Sequence, residues 1–251
     1  MEAFVKQYTQ GAIGFIEFGH PAGNSLPSAL LKELDEVLAD LAQNDAVRVL
    51  VLQSAGARAF CGGASLSEMK TFRNLEQATA FFMGFANLIN RIRELDKFII
   101  ARVQGKVVGG AVGLVAACDY ALALETAQVK LSELSIGIGP YVIEPAVTRK
   151  IGLTAFRQLS LDAHQWKSAQ WAQAQGLYNT LCQTEEDLNA AVKQTALRLG
   201  GYARKATATL RALHWKETAH WKTLLPENAE ITARLALEDE TQEILKNYNF
   251  K

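Results

Sequence analysis

The chain has 251 residues, of which 49% are hydrophobic and 21% are charged, and these proportions are typical of an ordinary globular protein. Its 26 basic and 26 acidic residues cancel, so the composition argues against intrinsic disorder and offers no basic face for nucleic acid. No apolar stretch approaches the roughly 18 residues of a membrane span, and no signal peptide is apparent.

The cysteines predict neither disulfides nor a metal centre. Cys61, Cys118 and Cys182 are odd in number, irregularly spaced and without a CxxC pair. The four histidines have no metal-binding spacing either. We therefore expect a cytoplasmic protein of a reducing compartment, without a metal ion and without membrane or nucleic-acid partners.

Strands and helices alternate along the first half of the sequence. Helices are predicted where apolar residues recur every three or four positions, and strands where short runs are alternating or wholly apolar. In chain order the predictions are strands 5–8 and 12–18, joined at Gln10-Gly11, helix 28–43, strand 47–52, helix 75–95, and strands 98–103 and 120–124. This alternation predicts an α/β layer structure.

From about Glu144 onward, strand patterns fade and helical periodicity dominates. The predicted helices are 145–150, 155–159, 168–175, 185–199, 205–216 and 227–248. The Gly200-Gly201 pair marks a soft boundary between residues 1–200 and a helical C-terminal region, 201–251.

Two glycine-containing loops, 58–66 and 104–114, each follow a predicted buried strand and precede helical sequence. Small residues let the backbone approach a ligand, and N–H groups near a helix start point outward. Each loop alone is equally compatible with a plain strand-to-helix turn, and the second lacks the spacing of phosphate-binding loops. If one N–H from each loop met at a single point, they would form an oxyanion hole.

The two loops contain recognisable motifs. The first reads AFCGGASL at residues 59–66, similar to A-F-x-x-G-A-D-L. The second has VQG at 103–105, GGA at 109–111 and CD at 118–119, similar to V-x-G-x-x-x-G-G-G…C-D. Both motifs resemble those of the crotonase (enoyl-CoA hydratase/isomerase) superfamily. The resemblance extends from the opening hairpin to about Thr180. It implies a ββα spiral core in residues 1–200, and it makes 201–251 a helical trimerisation region.

The resemblance also assigns roles to individual residues. It implies that the N–H groups of Ala64 and Gly110 hold the thioester oxygen of an acyl-CoA, and that Glu133 is the acid–base residue. A carboxyl group among apolar neighbours has a raised pKa, which suits that role. Where hydratases of the family carry a second glutamate, this chain has Gly113.

Further site residues are predicted around these. The residues implied to bind substrate or coenzyme A are Arg58, Phe60, Ala64, Ser65, Leu66, Ser67, Gly109 and Gly110. Ser65 stands where the family usually has Asp. Tyr141 is predicted to orient water or substrate, or else to wall the pocket. Glu144 either replaces the missing glutamate or is a structural residue beside Pro145 at a helix start.

The predicted function is that of an enoyl-CoA hydratase, with two alternatives. GPYVIEP at 139–145 looks like a segment of methylglutaconyl-CoA hydratases and favours hydration of an enoyl-CoA, with a branched acyl group as one option. Gly113 favours a Δ3,Δ2-enoyl-CoA isomerase that uses a single glutamate. A non-catalytic acyl-CoA-binding protein is the third possibility. Coenzyme A enters only as part of the substrate, with no other cofactor, and the resemblance implies a homotrimer or a dimer of trimers.

Overall fold

Hydrophobic strands pair into two sheets in the computed structural model of the protein, which describes residues 2–248. Its strands are β1 (Phe4–Gln10), β2 (Ile13–Gly19), β3 (Val49–Ser54), β4 (Ala59–Cys61), β5 (Phe98–Val103), β6 (Lys106–Val108), β7 (Tyr120–Leu124), β8 (Gln128–Lys130), β9 (Lys167–Ser168) and β10 (Thr180–Cys182). Its helices are α1 (Ser28–Gln43), α2 (Leu66–Met69), α3 (Leu75–Glu94), α4 (Gly110–Ala117), α5 (Glu144–Leu161), α6 (Ala169–Ala174), α7 (Glu185–Gly200), α8 (Arg204–His214), α9 (Trp221–Leu237) and α10 (Asp239–Asn247). None of these helices has the length and apolar character needed to cross a membrane.

The larger sheet has the strand order β1-β2-β3-β5-β7-β10. The opening hairpin β1–β2 is antiparallel, as predicted, and the other pairs are parallel. Both faces are covered, because alternate residues of β3 and β5 belong to two different hydrophobic clusters. Val49 and Val51 pack toward α7, whereas Leu50 and Leu52 belong to the main core. Burial on both faces explains why these strands are almost wholly apolar.

The smaller sheet has the order β4-β6-β8-β9. Each of its first three strands follows directly after a strand of the larger sheet, so that β3 leads to β4, β5 to β6 and β7 to β8. A helix follows each of these strand pairs before the chain returns to the larger sheet. The chain thus winds as a ββα spiral, which confirms the predicted fold class. The two glycine loops leave the strands of the smaller sheet.

The structure differs from the predicted elements at several places. The predicted helix 227–248 is two helices, α9 and α10, because Glu238 between them has an extended backbone. The segments 145–150 and 155–159 lie in one element, α5, which is broken at Gly152 with a φ of +80°. The strands of the smaller sheet have only two or three residues, and such short strands show no readable periodicity.

The C-terminal helices pack onto the same chain. Trp221, Leu225, Ala229 and Leu245 belong to the main hydrophobic cluster, and α9 lies along α3. The buried guanidinium of Arg211 in α8 pairs with Asp119 at 2.9 Å and ties this region to the end of the spiral. The division at Gly200-Gly201 and the trimer stay predictions.

Candidate active site

The two glycine loops touch each other. Gly63 adopts a φ of +82°, a conformation that residues with side chains rarely adopt. A Cβ at Gly63 would lie 2.6 Å from the carbonyl oxygen of Val108 and 3.6 Å from the amide nitrogen of Gly110. The backbone of the first loop therefore packs against that of the second, and only glycine fits at the contact.

Two backbone N–H groups remain available beside this contact. Ala64 forms a single parallel bridge with Leu26, and this bridge uses the carbonyl of Gly63 and the N–H of Ser65. The N–H of Ala64 itself is left over. Gly110 begins α4, where an N–H group has no acceptor within the helix. Within residues 2–248, no group accepts a hydrogen bond from the N–H of Ala64 or from that of Gly110. Both residues line the same cavity.

The cavity has a volume of about 680 Å³ and is mostly apolar. Its large hydrophobic lining residues are Leu66, Phe82, Phe85, Val108, Ile136, Ile138, Val142 and Ile143. Thr232 of α9 and Tyr248, directly after α10, complete this part of the wall. Among the lining residues that the structure describes, Glu133 is the only one with a carboxyl group.

Glu133 sits at the start of a 3-10 turn, Glu133–Ile136, which we call the Glu133 turn. A Cβ at Gly109 would lie 3.1 Å from its Oε1, so the carboxyl group is directly beside the Gly109-Gly110 turn. Glu133 is only 8% exposed, and its Oε2 is buried without a hydrogen-bond partner. Burial raises the pKa of this carboxyl group from 4.5 to about 7, because the charged form loses its hydration.

The position of the missing second glutamate is filled by another side chain. A Cβ at Gly113 would overlap the side chain of Ile143, which is buried and lines the cavity. A larger residue at Gly113 therefore cannot reach the cavity unless Ile143 moves. The wall that would carry a second carboxyl group is hydrocarbon here.

Tyr141 and Glu144 both lie outside the described lining of the cavity. Tyr141 is 38% exposed, and its ring packs over Gly139. The carboxyl group of Glu144 accepts a hydrogen bond from the hydroxyl of Thr148 at 2.8 Å, in the first turn of α5. Of the two readings of Glu144, this contact favours a structural residue at a helix start.

Three predicted site residues in or directly after the first loop pack within the fold. The ring of Phe60 is fully buried and packs edge-on against Phe18, with 5.7 Å between ring centroids, so it does not line the cavity. The hydroxyl of Ser65 caps α2 by accepting from the N–H of Glu68, and it shares a hydrogen bond with Ser67. None of these three side chains lines the cavity, and their substrate contacts stay predictions. Arg58, Ala64, Leu66, Gly109 and Gly110 do line the cavity.

Two lysines that the sequence analysis did not identify line the same cavity as Arg58. The Nζ atoms of Lys106 and Lys130 each lie 4.6 Å from the ring centroid of Trp166. These three residues and Arg58 form what we call the basic rim. No carboxylate in the described part of the chain forms an ion pair with these cations. Burial, and then the charge of Lys106, lowers the pKa of Lys130.

The pairing register of β6 and β8 is what brings the two lysines together. Val108 pairs with Lys130 in adjacent parallel strands, and Lys106 lies two residues before Val108, so both lysines project from one face. The strands are too short to be recognised without the register. Trp166 carries no such pattern, since it precedes the two-residue strand β9.

Comparisons with known proteins agree with this geometry. The family model described as enoyl-CoA hydratase/isomerase matches residues 8–248. A short-chain-enoyl-CoA hydratase of Clostridium acetobutylicum is 29% identical over 72% of this chain and 70% of its own length. A probable enoyl-CoA hydratase of Rhizobium meliloti is 30% identical over 82% of this chain and 80% of its own. An enoyl-CoA hydratase of Alternaria alternata, AKT6-1, is 29% identical over 76% of this chain, and the alignment covers 62% of its own length.

Solved structures share the fold. The crystal structure of an enoyl-CoA hydratase from Bacillus halodurans superimposes with a TM-score of 0.91 over 97% of this chain and 99% of the other, at 20% identity. A putative enoyl-CoA hydratase from Mycobacterium avium paratuberculosis gives a TM-score of 0.87 at 29% identity, over 97% and 95% of the two chains. The ββα spiral, the two touching loops and the family match agree: this chain belongs to the enoyl-CoA hydratase/isomerase family, within the crotonase superfamily.

Proposed function

We propose that this protein moves a proton at carbon two of an enoyl-CoA thioester, with Glu133 as the acid–base residue. The observation that supports this is one cavity that holds a buried carboxyl group and two available N–H groups from touching loops. The thioester oxygen would accept hydrogen bonds from the N–H groups of Ala64 and Gly110. Carbon two would then face Glu133.

The chemistry follows from where charge develops. Loss of a proton from carbon two moves negative charge onto the thioester oxygen, and the two N–H groups stabilise that charge more strongly than they stabilise the neutral carbonyl. Removing one donor of such a pair typically costs about 2.7–4 kcal/mol. A carboxyl group with a pKa of about 7 is populated in both protonation states at neutral pH, so Glu133 can take and return the proton.

The basic rim would hold the coenzyme A part of the substrate. Coenzyme A carries several phosphate charges, and the rim presents three cations without carboxylate partners in the described chain. Trp166 keeps Lys106 and Lys130 together through cation–π contacts despite their mutual repulsion. The mostly apolar lining near Glu133 fits an uncharged acyl group, branched or straight.

The net reaction that the geometry supports best is a Δ3,Δ2 double-bond shift. Glu133 takes the proton from carbon two of a 3-enoyl-CoA and returns it to carbon four, so no atoms are gained or lost. This reaction needs one carboxyl group, and the described lining of the cavity has one, that of Glu133. The place of a second carboxyl group is taken by Gly113 and by the side chain of Ile143 in front of it.

Hydration of a 2-enoyl-CoA is the second candidate, and the names of the relatives favour it. In that reaction Glu133 would take a proton from water as the oxygen bonds to carbon three, and it would pass that same proton to carbon two, so that one water is added across the double bond. One experiment separates the two reactions. The protein is incubated with 3-enoyl-CoA and 2-enoyl-CoA of equal chain length, in heavy-oxygen water and separately in deuterium oxide.

An isomerase interconverts the two esters and incorporates no heavy oxygen, whereas a hydratase produces labelled 3-hydroxyacyl-CoA. Glu133→Gln is expected to abolish both turnover and deuterium exchange at carbon two while it retains binding of the ester. Exchange that persists in Glu133→Gln would refute the role of this residue. A wild-type protein that binds acyl-CoA but neither exchanges nor converts it would be the non-catalytic binding protein.

A further inference from the structure

The carboxyl group of Glu133 is not held by a neighbouring side chain. No other residue within 2–248 donates a hydrogen bond to it, and Oε2 is buried without a partner. The carboxyl groups of other acid–base residues are often oriented by hydrogen bonds from neighbours. Here the direction of the side chain depends on the backbone of the Glu133 turn.

The Glu133 turn is closed internally by its own backbone. The N–H of Ile138 donates to the carbonyl of Glu133 at 3.1 Å, and the N–H of Gly137 donates to the carbonyl of Leu134 at 3.3 Å. Gly137 ends the turn with a φ of +84°, in the left-handed region. These bonds fix the shape of the turn but not its position relative to Gly109 and Gly110.

Helix α10 holds the turn from outside. The hydroxyl of Thr241, which is only 2% exposed, donates to the carbonyl of Gly137 at 2.9 Å. A Cβ at Gly137 would overlap the side chain of Thr241, so the two segments are in close contact. The next residue, Gln242, donates to the carbonyls of Ala236 at 2.7 Å and Met69 at 3.4 Å.

Consecutive residues of α10 therefore hold both halves of the site. Thr241 bonds to the turn that carries Glu133, and Gln242 bonds to the end of α2, the helix that follows Ala64. Tyr248, directly after α10, lines the cavity as well. The C-terminal helix thus spans the proton-transfer side and the oxyanion side of the cavity.

We propose that Thr241 is a positioning residue for Glu133: its hydroxyl fixes the distance between the carboxyl group and the N–H groups of Ala64 and Gly110. This inference rests on the proposed role of Glu133 as the acid–base residue. Misplacing a reacting group by about 1 Å can lower turnover by about 100-fold, even when substrate binding is unchanged. Loss of the Thr241 hydroxyl is therefore expected to lower kcat by about tenfold to 100-fold and to leave KM within about twofold.

Two substitutions isolate the hydroxyl. Thr241→Val keeps the branched shape and removes the donor, and Thr241→Ser keeps the donor and removes a methyl group. Thr218→Val is the matched control, because Thr218 is also 2% exposed and donates to a backbone carbonyl, that of Trp215 at 2.6 Å, outside the cavity lining. Thr241→Ala provides a second hydroxyl-free variant if valine prevents folding.

The proposal predicts that Thr241→Val loses kcat, that Thr241→Ser restores at least half of it, and that Thr218→Val lowers only the melting temperature. Both Thr241 variants without a hydroxyl should also lower the pKa of Glu133, since a loosened turn admits water. The pKa is measured by carbon-13 NMR of labelled glutamate in the ligand-free protein. None of these substitutions changes Arg58, Lys106 or Lys130, the cations that line the cavity, so a change in the pKa of Glu133 would not come from an altered charge there.

The NMR titration needs no turnover, so it separates the two proposals. A wild type without activity would refute the proposed function, while the titration would still test Thr241. An unchanged pKa and an unchanged kcat in folded Thr241→Val or Thr241→Ala would overturn the positioning role. Equal loss of kcat in Thr218→Val would also overturn it, because the effect would then be a general loss of stability.

Discussion

Burial of Glu133 has a consequence for stability that does not depend on any substrate. The pKa of the carboxyl group is about 7 in the folded protein, and its ordinary value is 4.5. The folded state therefore binds more protons than the unfolded state between these values, and the free energy of unfolding must fall as pH rises through this interval. The difference corresponds to about 3 kcal/mol, at 1.36 kcal/mol for each pH unit.

The substitution Glu133→Gln removes this titration and leaves a side chain of nearly the same size. At pH 4 the variant and the wild type should differ little, and by pH 8 the variant should be more stable by about 3 kcal/mol. Urea unfolding of both proteins at several pH values between 4 and 8 measures the difference. In an active wild type, the pH profile of kcat/KM should show the same pKa of about 7.

A difference in unfolding free energy that stays constant from pH 4 to pH 8 would refute the reasoning. It would mean that water or a cation reaches the carboxyl group in the folded protein and removes the cost of ionisation. A variant that is less stable than the wild type at pH 8 would give a difference of the opposite sign, and it would indicate a carboxylate stabilised by a partner.

Three further substitutions test the site and the fold. Gly113→Ala should lower the free energy of unfolding by about 1–3 kcal/mol, because the new Cβ overlaps Ile143. In a double-mutant cycle, Ile143→Ala should recover part of that loss. Strictly additive losses would show that residues 113 and 143 are not in contact. Lys130→Ala should raise the Kd for an acyl-CoA about threefold to tenfold, with a larger effect at low salt, and should leave kcat at saturation unchanged. An unaltered Kd, measured by calorimetry, would show that the basic rim does not bind coenzyme A. Arg211→Met should cost about 3–5 kcal/mol in urea unfolding, because Asp119 is left as a buried unpaired charge, and a loss under 1 kcal/mol would contradict this.

Local patterns were enough to predict much of the fold. The helix predicted at 28–43 has those bounds in the structure, and the strand predicted at 98–103 is β5. These elements are long and one face, or both, is buried, so the period of apolar residues is clear. The short strands of the smaller sheet were missed, because two or three residues cannot establish a period.

The site was only partly predictable. The identities of Ala64, Gly110 and Glu133 followed from motif letters, and the apolar neighbours of Glu133 predicted its raised pKa. The role of Glu144 could not be decided in this way, since a carboxylate beside a proline at a helix start suits both structure and catalysis. The structure directs it to Thr148 and away from the cavity.

By itself, the sequence determined the longer strands and helices, the places where small residues permit close backbone contact, and which residue types are available for chemistry. Tertiary structure alone decided that Gly63 touches the Gly110 turn, that Ile143 fills the space before Gly113, and that Thr241 holds the turn of Glu133. The physical reason is range. Secondary structure is set by neighbours a few residues apart, whereas a cavity joins residues that meet only when two sheets and the C-terminal helices pack together.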